Sequence, residues 1–260
     1  MHYVLNFPLL VLALTFVVLW ISELIGASFC KRWNVKESQR EDLHVIAAAT
    51  LTLLGLIIGF ALSIAINGFD QRQDHEEAEA CAIATEFNRS NLLPVADSTR
   101  VRALLRTYLD QRVLFYETRE DRKLRQIEAT IAQLETDLLS AVQSTAVARP
   151  TPVAALTISG MDDVLTSKRS AQAAWANRIP VAAWVLMAAI AICGNLLIGC
   201  GLRSTDGRAA LLLVLPLVVS IAFFLISEID SPRVGIILVT PHNLTGLSQS
   251  FPYGQEIRTH

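Results

Sequence analysis

Any chemistry in this chain has to be carried by five histidines, four cysteines and the carboxylates around them. His2, His44, His75, His242 and His260 stand at no helical or motif spacing from a Ser or Cys, so no nucleophile has a base beside it. His75 and Glu79 are one helical turn apart and could grip a metal ion, but no further ligand follows at a recognisable spacing, and they read as a surface pair. Cys30, Cys81, Cys193 and Cys200 form no CxxC pair and read as inert thiols, with neither a zinc site nor a disulfide framework. Phosphate loops, zinc motifs and dinucleotide fingerprints are absent. The reading is a protein without catalytic residues, metal or cofactor.

Two other groupings remain. Ala48, Thr52, Gly55, Gly59, Ser63 and Asn67 recur every three or four residues, which makes one side of a helix small and weakly polar. Gly55 and Gly59 have the G-x-x-x-G spacing that lets helices pack closely in lipid. Weak polarity also suits the lining of a hydrated pore, because a permeating ion must be able to leave its site. The second grouping is charged: Asp70, Arg72, Arg178, Glu228, Asp230 and Arg233. These read either as a salt-bridge collar or as an ion-selecting ring, since charges at a bilayer boundary must be paired or hydrated.

The elements that must position these residues are four long apolar stretches, roughly 3–27, 45–67, 180–202 and 209–229. Each approaches or exceeds the ~20 residues that a helix needs to cross hydrocarbon. In lipid every peptide group must bond within its own segment, so these are helices and the polar middle lies outside the bilayer. The composition agrees, with 52% apolar residues and a mean hydropathy of +0.43. The expected fold is all-α: four transmembrane helices in two pairs flanking a helical extramembrane domain. The expected divisions are 1–44, 45–67, 68–179, 180–230 and 231–260. The first stretch lacks a basic start and an A-x-A site, so it is expected to stay as a span. By connectivity, the charged grouping shares one membrane face with the middle domain. Glu23, Glu41, Asp42, His44 and Asp206 belong to the other face and read as solvated.

Lys31, Arg32, Lys36 and Arg40 fill the first short loop and Arg203 and Arg208 the second, against Arg233 and Arg258 in the tails. Short basic loops stay in the cytoplasm, so the middle domain and tails of this plasma-membrane protein are expected outside. The middle, 68–179, carries 14 Lys or Arg and 16 Asp or Glu, a nearly neutral surface that excludes a nucleic-acid partner. Asp97 or Ser98 can cap a helix with the apolar face Val101, Leu104, Leu105, Tyr108 and Leu109. Leu124, Ile127, Ile131, Leu134, Leu138 and Ala141 then form a coiled-coil-like seam, which either closes a bundle within the chain or meets another subunit. Arg149-Pro150-Thr151-Pro152 ends that helix, and Val153 to Asn177 reads as the next one. The tail, with Pro241, Gly246 and Pro252, reads as loop with one short helix. Pro216 falls inside the fourth span.

Several strings give this order of elements a resemblance. They are Leu54-Gly55-Leu56-Ile57-Ile58-Gly59-Phe60 running into Phe69-Asp70-x-Arg72, Asn91-Leu92-Leu93-Pro94, Asn177-Arg178-Ile179-Pro180 with Trp184, and Glu228-Ile229-Asp230-Ser231-Pro232-Arg233-x-Gly235. From about Glu41 to Leu247 the chain resembles the bestrophin-like domain proteins, multi-pass membrane proteins of bacteria and plants. The resemblance implies kinship with bestrophins, pentameric anion channels lined by their second membrane helix, with tails and middle domain in the cytoplasm. It therefore implies a homo-oligomer, an inorganic ion as ligand, and Arg72, Arg178 or Arg233 attracting anions at the rim. The competing expectation is a membrane-anchored interaction or sensing protein whose helical middle domain binds a partner.

Overall fold

The computed structural model describes residues 7–32, 37–201, 211–231, 233 and 235–251. Lys36, Arg203, Asp206, Arg208, Pro252 and Arg258 lie outside them, as do the side chains of Lys31, Arg32 and Arg40. The described residues form eight α-helices: α1 (Pro8–Arg32), α2 (Glu37–Arg89), α3 (Val95–Glu117), α4 (Asp121–Ala148), α5 (Pro152–Ala176), α6 (Val181–Gly201), α7 (Leu211–Asp230) and α8 (His242–Ser250). A 3-10 turn, Ser90–Leu92, follows α2. The fold is all-α, and four of the helices are long and apolar enough to cross a membrane. The chain divides into two compact units, Met1–Phe69 with Arg178–Leu238, and Asp70–Asn177 with Val239–His260. The second apolar stretch does not end its helix at Asn67. Good helix formers continue without Gly or Pro from Phe69 to Arg89, so α2 runs for 53 residues.

In the first unit α1 packs against α6 and α7. The α1 and α6 axes run parallel in constant register. Ser22 Oγ donates to the Ile192 carbonyl at 2.9 Å, Gly26 lies against the Leu196 backbone, and Cys30 is disulfide-bonded to Cys200. Gly199 lies against the Glu23 carbonyl and the Ala27 amide. A Cβ at Gly26 or Gly199 would collide with backbone, so the close approach that small residues allow in lipid is made here. Val11, Leu19, Leu54, Met187, Ala191, Phe223 and Ile226 fill the core, with Trp184 edge-on to Phe223 at 6.1 Å. The cysteine reading is corrected at two positions. Cys30 and Cys200 are 170 residues apart and are joined because the parallel packing brings both helix ends together. Cys81 and Cys193 are free thiols. Glu23 is also corrected: it is 1% exposed, facing protein, whereas Glu41, Asp42 and His44 are exposed as expected.

In the second unit α3 packs against α4 and α8, and α4 against α5. The seam on α4 is covered within the chain: Ile131, Leu134, Leu138 and Ala141 are buried and Leu124 and Ile127 half-buried. Each fully buried aliphatic side chain contributes about 1.5–3 kcal/mol. The helix expected to start at Asp97 or Ser98 begins at Val95, because Pro94 is its N-cap and accepts the Ser98 amide at 2.8 Å. Asp97 instead sits in the first turn, favourably placed for the helix dipole. Thr151 caps α5, its Oγ1 accepting from the Ala154 amide at 3.2 Å with Pro152 at the first position. The tail holds one short helix, α8.

The disulfide predicts that denatured, non-reduced protein offers two thiols to an alkylating reagent and four after reduction. Cys30→Ser with Cys200→Ser should lower the thermal midpoint, by the equivalent of about 2–4 kcal/mol; mass spectrometry and thermal unfolding check both.

Candidate functional site

On α2 one side belongs to the core, with Ala47, Leu54, Ala61 and Ala65 buried. Thr52, Gly55, Gly59, Ser63 and Asn67 are all exposed. A Cβ built on Gly55 or Gly59 would meet nothing within 4 Å, so no described part of the chain packs on that stripe. The Thr52 hydroxyl donates back to the Ala48 carbonyl at 2.9 Å, leaving its oxygen lone pairs and its methyl group on the helix surface. Leu53, Leu56, Phe60 and Ile64 flank the stripe, exposed and apolar.

The three-four step does not stop at Asn67. Asp70, Asp74, Glu77 and Cys81 continue it on the same helix and are exposed. Asp74 and Glu77 lie past the apolar stretch, where hydropathy does not point to them; only extending the same three-four step finds them. Arg72, two residues past Asp70, falls near the opposite side of α2 and is 1% exposed. Arg178 and Arg233 are half-buried.

The remaining rim carboxylates hold backbone. Asp230 accepts the Ile179 amide at 3.0 Å, which fixes the entry into α6 just after Arg178. Glu228 accepts the Ile236 amide at 2.7 Å beside Gly235, whose φ of +141° an L side chain rarely adopts. Both are buried.

The second unit also buries several ionisable groups. Glu79, read as half of a surface pair with His75, is 0% exposed and forms a two-pronged ion pair with Arg112. The pairing residue lies 33 positions away, beyond the reach of local spacing. Tyr116 Oη donates to Glu79 at 3.2 Å, and the Arg112 guanidinium lies 4.6 Å over the Phe115 ring. Burial works against the Arg112 charge, but Glu79 outweighs it and holds the group firmly protonated; burial and then Glu79 raise Tyr116 well above its ordinary value. Glu76 caps α8 from outside, accepting the Leu244 backbone amide at 2.9 Å and the Asn243 side-chain Nδ2 at 2.8 Å. Phe251 stacks on Phe87, and Ser248 donates to Asp110 at 2.8 Å, so the tail is tied to this unit.

Glu86 is buried with neither carboxylate oxygen hydrogen-bonded. It fits only because Gly160 on α5 has no side chain, and Arg89, 3.6 Å from Asp163, lies beside it. Burial pushes its carboxyl up to about 8, against the lowering by Arg89. The folded state therefore keeps a proton that the unfolded chain loses near pH 4.5, so stability falls as pH rises toward 8 and levels off above it.

Glu86→Gln should flatten that decline, which for wild type is at most about 1.4 kcal/mol per pH unit; thermal midpoints between pH 5 and 9 test it. Arg112→Met should destabilise by about 3–5 kcal/mol by leaving the Glu79 charge unpaired, while the double variant with Glu79→Leu recovers part of the loss.

The chain matches the family model of the Bestrophin-like domain over residues 9–244. Among solved structures it is similar to a bacterial bestrophin homologue from Klebsiella pneumoniae, determined as several single-substitution variants. One superimposes with a TM-score of 0.59 at 13% identity, covering 93% of this chain and 96% of the other. A second gives 0.59 at 12% identity, covering 93% and 99%, and a third 0.57 at 12%, covering 91% and 98%. No curated protein sequence matches. At that identity the structures speak for the fold, and the family match spans nearly the whole chain: this all-α membrane protein belongs to the Bestrophin-like domain family.

Proposed function

We propose that the protein is an ion channel formed by a homo-oligomer, five-membered as in the bestrophins it resembles, with α2 nearest the axis. The observation that carries this reading is the stripe Thr52, Gly55, Gly59, Ser63 and Asn67, outward-facing and uncovered by its own chain. Asn67 in hydrocarbon is costly, whereas repeated around an axis such residues bind ions weakly enough to release them. The seam that motivated a separate protein partner is already covered inside the second unit.

The charge that follows the stripe bears on the ion. Asp70, Asp74 and Glu77 are exposed, while Arg72 is buried and turned away. Rings of carboxylates raise the local concentration of cations. The reading therefore favours cation over anion conduction. On the same reading the short loops face the oxidising exterior of the plasma membrane, because the Cys30 to Cys200 bond lies at their end and disulfides persist in oxidising compartments. That reverses the expectation from six basic residues against two.

Reconstituted protein in planar bilayers under a potassium chloride gradient should give discrete current steps reversing near the potassium potential. Asp70→Asn with Asp74→Asn and Glu77→Gln should shift the reversal toward chloride, and Ser63→Cys should admit a water-soluble methanethiosulfonate that reduces the current. Reversal at the chloride potential in wild type would retain the channel and reject the cation; silence with protein verified in the bilayer would reject the channel. Labelling of Cys81 in intact cells by an impermeant maleimide would reject the orientation.

A further inference from the structure

Glu23 is an acid within an apolar helix, 1% exposed, and its Oε2 has no hydrogen-bond partner. No cation among the described residues lies within ion-pair distance of it. The helices packed against α1 cannot supply one. Neither α6 nor α7 contains Lys, Arg or His. The charged residues on α7, Glu228 and Asp230, accept backbone amides near its end, and on α6 Cys200 is bonded to Cys30 while Cys193 is exposed. His44 of α2 lies against Gly201 at the end of α6 and makes no ion pair with Glu23.

A second orphan acceptor occurs at the same level. Asn195 on α6 is 0% exposed; its Nδ2 donates to the Ala191 carbonyl at 2.8 Å, and its Oδ1 has no partner. The carbonyl on one side fixes the amide orientation, since only the nitrogen can donate to it. The register of the parallel pair aligns the two groups. Gly199 lies against Glu23 and Ala27, so Asn195, one turn earlier on α6, faces Leu19 and Glu23. Helical side chains lean toward the N-terminus, which carries the Glu23 carboxyl to the level of the Asn195 amide.

Two acceptor oxygens facing one another in a low-dielectric seam repel, and one of them would carry a full charge. One proton removes both penalties: a neutral carboxylic acid is a donor as well as an acceptor. A bound metal cation fits less well, because a hard cation seeks six or more oxygens and the helix carbonyls around are engaged in their own ladders. We propose that Glu23 and Asn195 form an intramembrane proton-binding site, in which the Glu23 carboxyl holds a proton and donates it to Asn195 Oδ1. The site adjoins α2, because a Cβ built on Gly194, the residue before Asn195, would come within 3.2 Å of the Leu51 side chain and 3.7 Å of the Thr50 methyl group. It stands independently of whether α2 lines a pore.

Infrared difference spectroscopy of the full-length protein in vesicles at neutral pH tests it. Wild type minus Glu23→Gln should show one protonated-carboxyl C=O band, with no carboxylate bands. Asn195→Ala should move that band to higher frequency by removing its acceptor. Because Asn195→Ala keeps the carboxyl, it carries the test even if Glu23→Gln fails to fold. Carboxylate bands assigned to position 23 would overturn the proposal, and their shift on exchanging sodium for N-methylglucamine would assign the site to a metal cation instead. A C=O band unmoved by Asn195→Ala would also overturn the pairing.

Discussion

Close parallel packing of α1 on α6 is the interaction on which the membrane unit depends. Hydrocarbon supplies no hydrophobic drive between apolar helices, so association must come from van der Waals fit and from polar groups that cannot be satisfied by lipid. Gly26 and Gly199 supply the first by letting backbone meet backbone, and the Ser22 hydroxyl supplies the second. The constant register that results brings Cys30 to Cys200 and Gly199 to the Glu23 carbonyl. The G-x-x-x-G pair of α2, in contrast, packs on nothing in its own chain. The glycines of α1 and α6 thus pack inside the protomer, and those of α2 lie on its surface.

The second unit is held by a different balance. Its core contains Arg112, Glu79 and Tyr116 beside Phe115 and Trp175, a set in which the Arg112 and Glu79 charges pair away from water and the rings meet edge to face. Such a pair adds little net stability over an apolar substitute, but it tolerates few alternative arrangements of α2 and α3. Glu86 has no comparable partner, and its titration couples this unit to pH.

The number of spans, the helical middle, the seam and the single tail helix were legible because each is written in local hydrophobic period or in proline placement. The family was legible too, from strings such as Asn177-Arg178-Ile179-Pro180. What was not legible depends on partners distant in sequence. Nothing near Cys30 announces Cys200, and nothing near Glu79 announces Arg112. Glu23 looked solvated because it sits four residues from an expected helix end, but α1 extends to Arg32 and carries it inward. For the stripe the sequence supplied the period and the structure its exposure; Asp74 and Glu77 continue that period where the hydropathy changes but the helix does not.

Both units are discontinuous in sequence, and the tail contributes to the one that begins at Asp70. The Glu76 carboxylate receives its donors from Asn243 and Leu244, and Phe87 its stacking ring from Phe251. A ribosome synthesising this chain must therefore thread the last two spans into the bilayer before it releases the residues that close the polar unit. Until then that unit waits with an uncapped acid and an uncovered aromatic ring, so it closes only after α6 and α7 have been made.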